Sequence, residues 1–407
     1  MPIRTERIRA DIDAIGRFTE SPGGADRPTF SRAWREARDY VIEQATRAGC
    51  KVRVDPAGNV HARSESIPWD APVWLSGSHI DSVPRGGNFD GVAGVVAPLE
   101  VLRSAREDGV TAPPLELIVF AEEEGTTFGL GMLGSRAWVG ELSQQQLAAV
   151  RNARGESYLE AGAAHDVHPS RLLEDTFNAR HYLGLVEVHI EQGPGMWNVG
   201  VPLAVVTAIA GRKQYKVKLR GVANHAGSTS MADRKDALAA AAVCILQLEG
   251  LANGLGDGTV MTVGRIECRP NAINVIPASV EFTVDFRSPS NDVLTDGDAQ
   301  IRQRIAQACD RRGIEHAIEQ TEDAPAVQMD GGLCANLARA CADIAKSTAT
   351  AVSGALHDAA ILAPHLPTAM LFVPSKDGIS HNPAEFSRVE DIALAARVLQ
   401  ELVMTKR

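Results

Sequence analysis

Residues 115–124 read L-E-L-I-V-F-A-E-E-E, a compact apolar run that ends abruptly in three glutamates. Such a run reads as a buried strand, and Val73 to Leu75, Leu183 to Val188 and Ala369 to Val373 are its counterparts. Between them lie helical stretches such as Val92 to Ala105 and Ile392 to Val403. Nearer the start, Trp34, Ala37, Val41, Ala45 and Ala48 recur at helical spacing before Gly49 supplies a stop. Strands alternating with helices predict an α/β sheet layered with helices.

The middle of the chain has another rhythm. Strand Gln214 to Leu219, helix Arg234 to Leu251, strands Val260 to Ile266 and Val280 to Phe286, helix Val293 to Arg312 and strand Glu315 to Glu319 give the order βαββαβ, a ferredoxin-like unit. Apolar strands resume after Ala324. The expected organisation is therefore a first domain made of residues 1–210 and 326–407, with residues 211–325 inserted into it.

A chain of 407 residues, 44% hydrophobic and 23% charged, has room for two such cores. Its formal net charge of -10 argues against a nucleic-acid or anionic-membrane partner, since either needs a basic surface. A small-molecule partner is the expectation. Residues 1–12 lack the apolar stretch of a secretory signal, so a cytoplasmic location is expected. The longest apolar run, Ala237 to Leu248, is too short to span a bilayer and reads as a packed helix. Six cysteines are scattered with no Cys-x-x-Cys pair, which disfavours a thiolate zinc site and a disulfide framework. Any metal must be held by histidine and carboxylate.

Those residue types cluster after the apolar strands. S-G-S-H-I-D at 76–81 leads to Asp90; Glu122, Glu123 and Glu124 end I-V-F-A; His189 and Glu191 end V-E-V-H-I-E; His381 follows F-V-P-S. In an open α/β sheet the carboxyl ends of strands form the ligand crevice, so distant segments can converge there. Three histidines with two carboxylates suit a pair of borderline divalent ions. Two such ions lower the pKa of a shared water and polarise a carbonyl, and a further carboxylate must take the water's proton. One glutamate of the 122–124 run ligating and its neighbour acting as base would meet that need. Three glutamates at a buried strand end, without a metal or partners, would cost several kcal/mol. His61, His165, His168, His181, His316 and His365 read as surface or satisfied polar residues.

Seven motifs in order carry a resemblance over nearly the whole chain: G-S-H-I-D-S-V at 77–83, G-G-N-F-D-G at 86–91, E-E-G at 123–125, H-I-E-Q-G at 189–193, A-N-H-A-G at 223–227, N-A-I-N-V-I-P at 271–277 and S-H-N-P-A-E at 380–385. The chain resembles the hydantoinase/carbamoylase family of dinuclear metallohydrolases. That family includes N-carbamoyl-L-amino acid hydrolases, allantoate amidohydrolases and yeast-type β-ureidopropionases. The resemblance implies a mixed-sheet, metallopeptidase-like catalytic domain and an inserted domain that forms a homodimer. It implies two divalent ions (Zn, Mn, Co or Ni), one held by His79, Asp90 and His189, the other by Asp90, Glu124 and His381, with Asp90 bridging. It further implies Asp81 as the orienter of His79, Glu123 as general base and His225 as the group polarising the scissile carbonyl. Gln192, Asn274 and Arg287 become substrate residues, the guanidinium suiting a carboxylate. His225 and Asn274 are expected to serve the partner's site, and the Asp90–Gly91 peptide is expected to be cis.

Departures from the pattern fall at Thr127, where relatives carry an arginine, at Leu356 in S-G-A-L-H-D, and at G-S-T-S-M; they bear on substrate choice rather than chemistry. Hydrolysis of an N-carbamoyl-L-amino acid is the leading expectation. Allantoate or another ureido acid comes next, then acylamino-acid or peptide cleavage. A silent metal- or ligand-binding protein is the non-enzyme alternative, which the intact Glu123 disfavours.

Overall fold

Polar residues inside an apolar strand need partners in the neighbouring strand, and the first sheet supplies them. Ser76 donates its hydroxyl to the Val186 carbonyl at 2.7 Å and Ser78 to Glu187 Oε1 at 2.8 Å. The run expected to stop at Leu75 therefore continues as a fully buried strand, Val73–His79. These details come from a computed structural model that describes residues 2–109, 112–165, 167–168, 171–172, 176–256 and 258–405. The chain divides into two compact units, residues 1–207, 329–351 and 355–407 in one and residues 208–328 and 352–354 in the other.

The sheet of the first unit runs in the order Cys50–Val54, Val60–Ser64, Leu115–Phe120, Val73–His79, Tyr182–Ile190, Thr368–Val373, Ala204–Ile209, with Ala349–Ser353 paired to the last of these. The four strands from Leu115–Phe120 to Thr368–Val373 are mutually parallel, while their flanks are antiparallel. Four carboxyl ends therefore share one edge. Side chains alternate across the sheet. Leu115, Leu117 and Val119 join a core with Val96 and Leu99 of the helix Val92–Glu107 and with Ile392 and Leu399 of the helix Val389–Thr405. Each fully buried side chain of this kind contributes about 1.5–3 kcal/mol relative to exposure.

In the second unit the strands Gly211–Arg220, Ser279–Ser288 and Glu315–Ala324 are antiparallel in the order 315–324, 211–220, 279–288, with the last flanked by Val260–Thr262 and Ile266–Arg269. Those two short strands are the expected Val260 to Ile266 strand, interrupted around Gly264, where the ladder lacks a side chain to pack. Tyr215, Val217, Phe282 and Phe286 pack beneath Ala240, Cys244 and Leu248 of the helix Ala237–Gly254 and Ile301 and Ile305 of the helix Asn291–Asp310. The first of these helices starts where Asp236 caps it, accepting from Leu238 and Ala239 N–H at 2.9 and 3.0 Å. It is long and apolar enough to cross a membrane by composition, and its Ala237, Ala240, Cys244 and Leu248 face is spent on this core.

Candidate metal centre

His79 is the last residue of its strand, and its Nδ1 donates to the Asp81 carbonyl at 3.0 Å. His189 does the same with the Ile190 carbonyl at 2.9 Å. Both rings therefore turn Nε2 toward Asp90 Oδ1, His189 at 3.1 Å and His79 at 3.6 Å. The other Asp90 oxygen faces the C-terminal segment, with His381 Nε2 at 3.3 Å, and that nitrogen is 3.5 Å from Glu124 Oε2. Glu123 Oε2 is 3.6 Å from His79 Nε2. Ligating atoms of His79, Asp90 and His189, of His79, Glu123 and Glu124, and of Asp90, Glu124 and His381 lie within 4.8 Å of one another in each group.

Local backbone makes this convergence possible. Gly91 turns the chain at φ +66° into the helix Val92–Glu107, and a Cβ there would sit 2.6 Å from the His79 ring. The cis Asp90–Gly91 bond implied by the resemblance is absent: that peptide is trans, the φ of Gly91 makes the turn, and the cis bond among the described residues is Arg269–Pro270. Glu122, Gln192 and His381 also sit at positive φ, +56°, +58° and +53°. Left-handed residues other than glycine cost about 1–3 kcal/mol each and gather where function over-determines the backbone.

The remaining residues singled out from sequence occupy varied places. The Asp81 carboxylate lies 3.8 Å from His79, whose Nδ1 is held by the carbonyl of the same residue, while Oδ2 accepts the Glu124 N–H at 3.1 Å. Gln192 donates its amide to Asp90 Oδ2 at 2.8 Å. Glu122 accepts the N–H groups of Thr127 and Phe128, both at 2.8 Å, and the Thr127 hydroxyl accepts from Thr29 N–H at 3.0 Å. Glu122 and Thr127 thus close the loop that presents Glu123 and Glu124. In the second unit, His225 is exposed and its Nδ1 accepts the N–H groups of Gly227 and Ser228 at 3.0 and 3.2 Å. Asn274 stands beside it, its carbonyl accepting Ala226 N–H at 3.0 Å. Arg287 donates to Asp285 at 2.8 and 3.2 Å and to the Gly354 carbonyl at 2.7 Å.

Sequence reasoning missed a supporting layer. Glu187 is fully buried, one oxygen held by Ser78 and the other by Ala359 N–H at 2.9 Å. Asp358 accepts the Ser135 hydroxyl at 2.5 Å, and the His357 ring packs edge-on to His189 at 4.4 Å between centroids. Glu187, His189 and His357 also approach one another closely enough to be ligands, but with both Glu187 oxygens engaged and His189 Nε2 aimed at Asp90 they brace the centre instead. Glu385, another omission, holds the backbone of Phe89 and Asp90. The signals were at hand, since Glu385 closes the motif at 380–385 and Glu187 sits inside V-E-V-H.

The sequence matches Peptidase family M20/M25/M40 over residues 75–405. The chain belongs to that family. Among M20 relatives, the N-carbamoyl-L-amino acid amidohydrolase of Geobacillus stearothermophilus is 39% identical over 403 residues, covering 98% of each chain. The allantoate amidohydrolase of Escherichia coli strain K12 is 35% identical over 397 residues, covering 97% of this chain and 96% of that protein. The solved structure of a hydantoinase/carbamoylase family amidase from Burkholderia multivorans superposes with TM-score 0.93 at 33% identity, over 99% of this chain and 98% of that one.

M20 enzymes are metal-dependent, and this donor set fits a cation. With Nδ1 donating to the Ile190 carbonyl, a neutral His189 leaves Nε2 and Asp90 Oδ1 as two buried acceptors 3.1 Å apart, and that nitrogen has no hydrogen-bond partner among the described residues. A positive charge between them resolves that conflict. Electrostatics agree. Burial, reinforced by Glu124, Asp358 and Asp81, pushes Glu123 well above the usual carboxylate range, and burial next to Asp90 lifts Glu124 to about 7. Burial also opposes charge on His79, but Glu123, Asp90, Asp81 and Glu124 outweigh it and raise that pKa well above the usual value. Carboxylates crowded to this degree are relieved by cations.

Proposed function

We propose that this M20 enzyme is an amidohydrolase that removes the carbamoyl group of an N-carbamoyl-L-amino acid at a pair of divalent ions. The observation that carries the reading is the Asp90 carboxylate, with one oxygen facing His79 and His189 and the other facing His381. His79, Asp90 and His189 would hold one ion, Asp90, Glu124 and His381 the second. Bound there, the ions would supply an acidified water and a polarised carbonyl. Glu123 would take a proton from the attacking water and return it to the leaving nitrogen; RNHCONH2 and one H2O give RNH2, NH3 and CO2.

His225 suits the carbonyl oxygen because its Nδ1 accepts two backbone N–H groups, which fixes the proton on Nε2 as a donor. Arg287, whose plane is fixed by Asp285 and the Gly354 carbonyl through three of its five N–H donors, would offer the other two to the substrate carboxylate. Gln192 and Asn274 complete the substrate contacts. Two copies would pair through the second unit. Support comes from exposed Leu238 and Leu246 on the outer side of the helix Ala237–Gly254 and exposed Val260 and Ile266 on the edge strands.

The test is product analysis with protein reconstituted with Mn, Zn, Co or Ni: ammonia released from N-carbamoyl-L-amino acids and allantoate, and free amino acid released from N-acyl amino acids. Preference for the carbamoyl substrates is expected. A kcat/KM at least about tenfold higher on allantoate, equivalent to 1.4 kcal/mol of transition-state discrimination, would replace the substrate while keeping the chemistry.

A further inference from the structure

We infer that Glu385 is a positioning residue that fixes the Asp90 carboxylate between the two halves of the metal centre, an inference that rests on reading Asp90 as the bridging ligand. Glu385 is 6% exposed. Its Oε1 accepts the backbone N–H of Phe89 at 2.9 Å and of Asp90 at 3.0 Å. The Ser380 hydroxyl oxygen stands 2.9 Å from Glu385 Oε2 and 2.9 Å from Asp90 Oδ2, so it ties one carboxylate to the other. A Cβ on Gly87 would lie 2.1 Å from Glu385 Oε1, so the loop before Asp90 closes directly onto this side chain.

One carboxylate thus controls two things at once. Through main-chain N–H groups it sets where Asp90 leaves the loop, and through Ser380 it registers the segment that carries His381. Both matter because Asp90 must keep its two oxygens on opposite sides, one toward His79 and His189, the other toward His381. Rotation about the Asp90 side chain would surrender one side. Glu385 touches none of the reacting atoms in this scheme, so its effect passes through Asp90.

The experiment compares Glu385→Ala, Glu385→Gln, Ser380→Ala and Asp90→Ala in the full-length protein, each titrated with Mn. Metal content is measured by mass spectrometry, coupling between the two ions by electron paramagnetic resonance, and kcat separately from KM. Glu385→Ala is expected to lose about 10- to 100-fold in manganese affinity, the range for partners that orient a ligand, together with the coupled-pair signal and kcat at little changed KM. Glu385→Gln should regain much of the coupled signal, because its amide oxygen still accepts both N–H groups. Wild-type affinity, coupling and kcat in Glu385→Ala, or a glutamine variant no better than alanine, overturns the inference. If Glu385→Ala does not fold, Ser380→Ala decides: a weakened coupled signal supports the inference and an unchanged one overturns it. Asp90→Ala separates the two layers of argument, since a variant that still holds two coupled ions removes the bridging role itself.

Discussion

At the scale of single residues, the adjacent Glu123 and Glu124 divide their work by direction. Glu124 Oε2 lies 3.5 Å from His381 Nε2, whereas Glu123 Oε2 lies 3.6 Å from His79 Nε2. Glu123→Gln is therefore expected to keep metal content near normal while kcat falls at least about 100-fold, the usual range for a positioned base. Metal analysis alongside steady-state kinetics checks this, and a variant that loses metal would make Glu123 a ligand. The residues at the strand ends were legible because a charge after an apolar run demands a partner. Glu385 and Glu187 carried a weaker signal, one closing the motif at 380–385 and the other lying inside V-E-V-H, because the backbone N–H groups and hydroxyls that partner them and Asp358 come mostly from segments far off in sequence.

At the scale of elements, the strand Leu115–Phe120 shows what one polar residue in an apolar run can organise. Glu116 is fully buried and bonds His61 at 2.8 Å and Arg63 at 2.5 Å on the neighbouring strand, and His61 also meets Asp55 at 3.3 Å. Burial opposes both charges, yet the partners prevail: Glu116 lies below its ordinary 4.5 and His61 above its ordinary 6.5. The depressed glutamate contributes stability that is present above 4.5 and lost as pH falls through its folded pKa. The raised histidine contributes stability that is present below 6.5 and lost as pH rises through its folded pKa. Both act between those values. Glu116→Gln should cost about 3–5 kcal/mol there, the price of leaving buried charges unpaired, and less on either side. Tryptophan fluorescence in urea reads this cleanly, since all five tryptophans, Trp34, Trp69, Trp74, Trp138 and Trp197, belong to the first unit. A difference that is flat from pH 4 to 9 would sink the account. Element order was readable from periodicity and Gly264 marked the break inside the expected strand, whereas the cis Asp90–Gly91 bond rested on the resemblance alone, and the positive φ of Gly91 makes the turn with an ordinary trans peptide.

At the scale of the molecule, the proposed division of labour between two copies can be tested by mixing defects. Glu123→Gln and His225→Ala chains are each inactive on this reading. Their heterodimer holds one site with neither lesion and should recover about half of wild-type activity, the donor itself contributing roughly 3 kcal/mol. Subunit exchange verified by mass, with activity no higher than either parent, would place His225 in its own chain or outside catalysis. The discontinuity of the first unit has a different consequence. Residues 208–328 lie between its segments, so a ribosome releases His79, Asp90, Glu124 and His189 early and His381 only near the finish. On the proposed two-ion reading, a nascent chain stalled short of Ser380 would lack both His381 and Glu385, so the surroundings of Asp90 would be completed only once residues 380–385 have emerged.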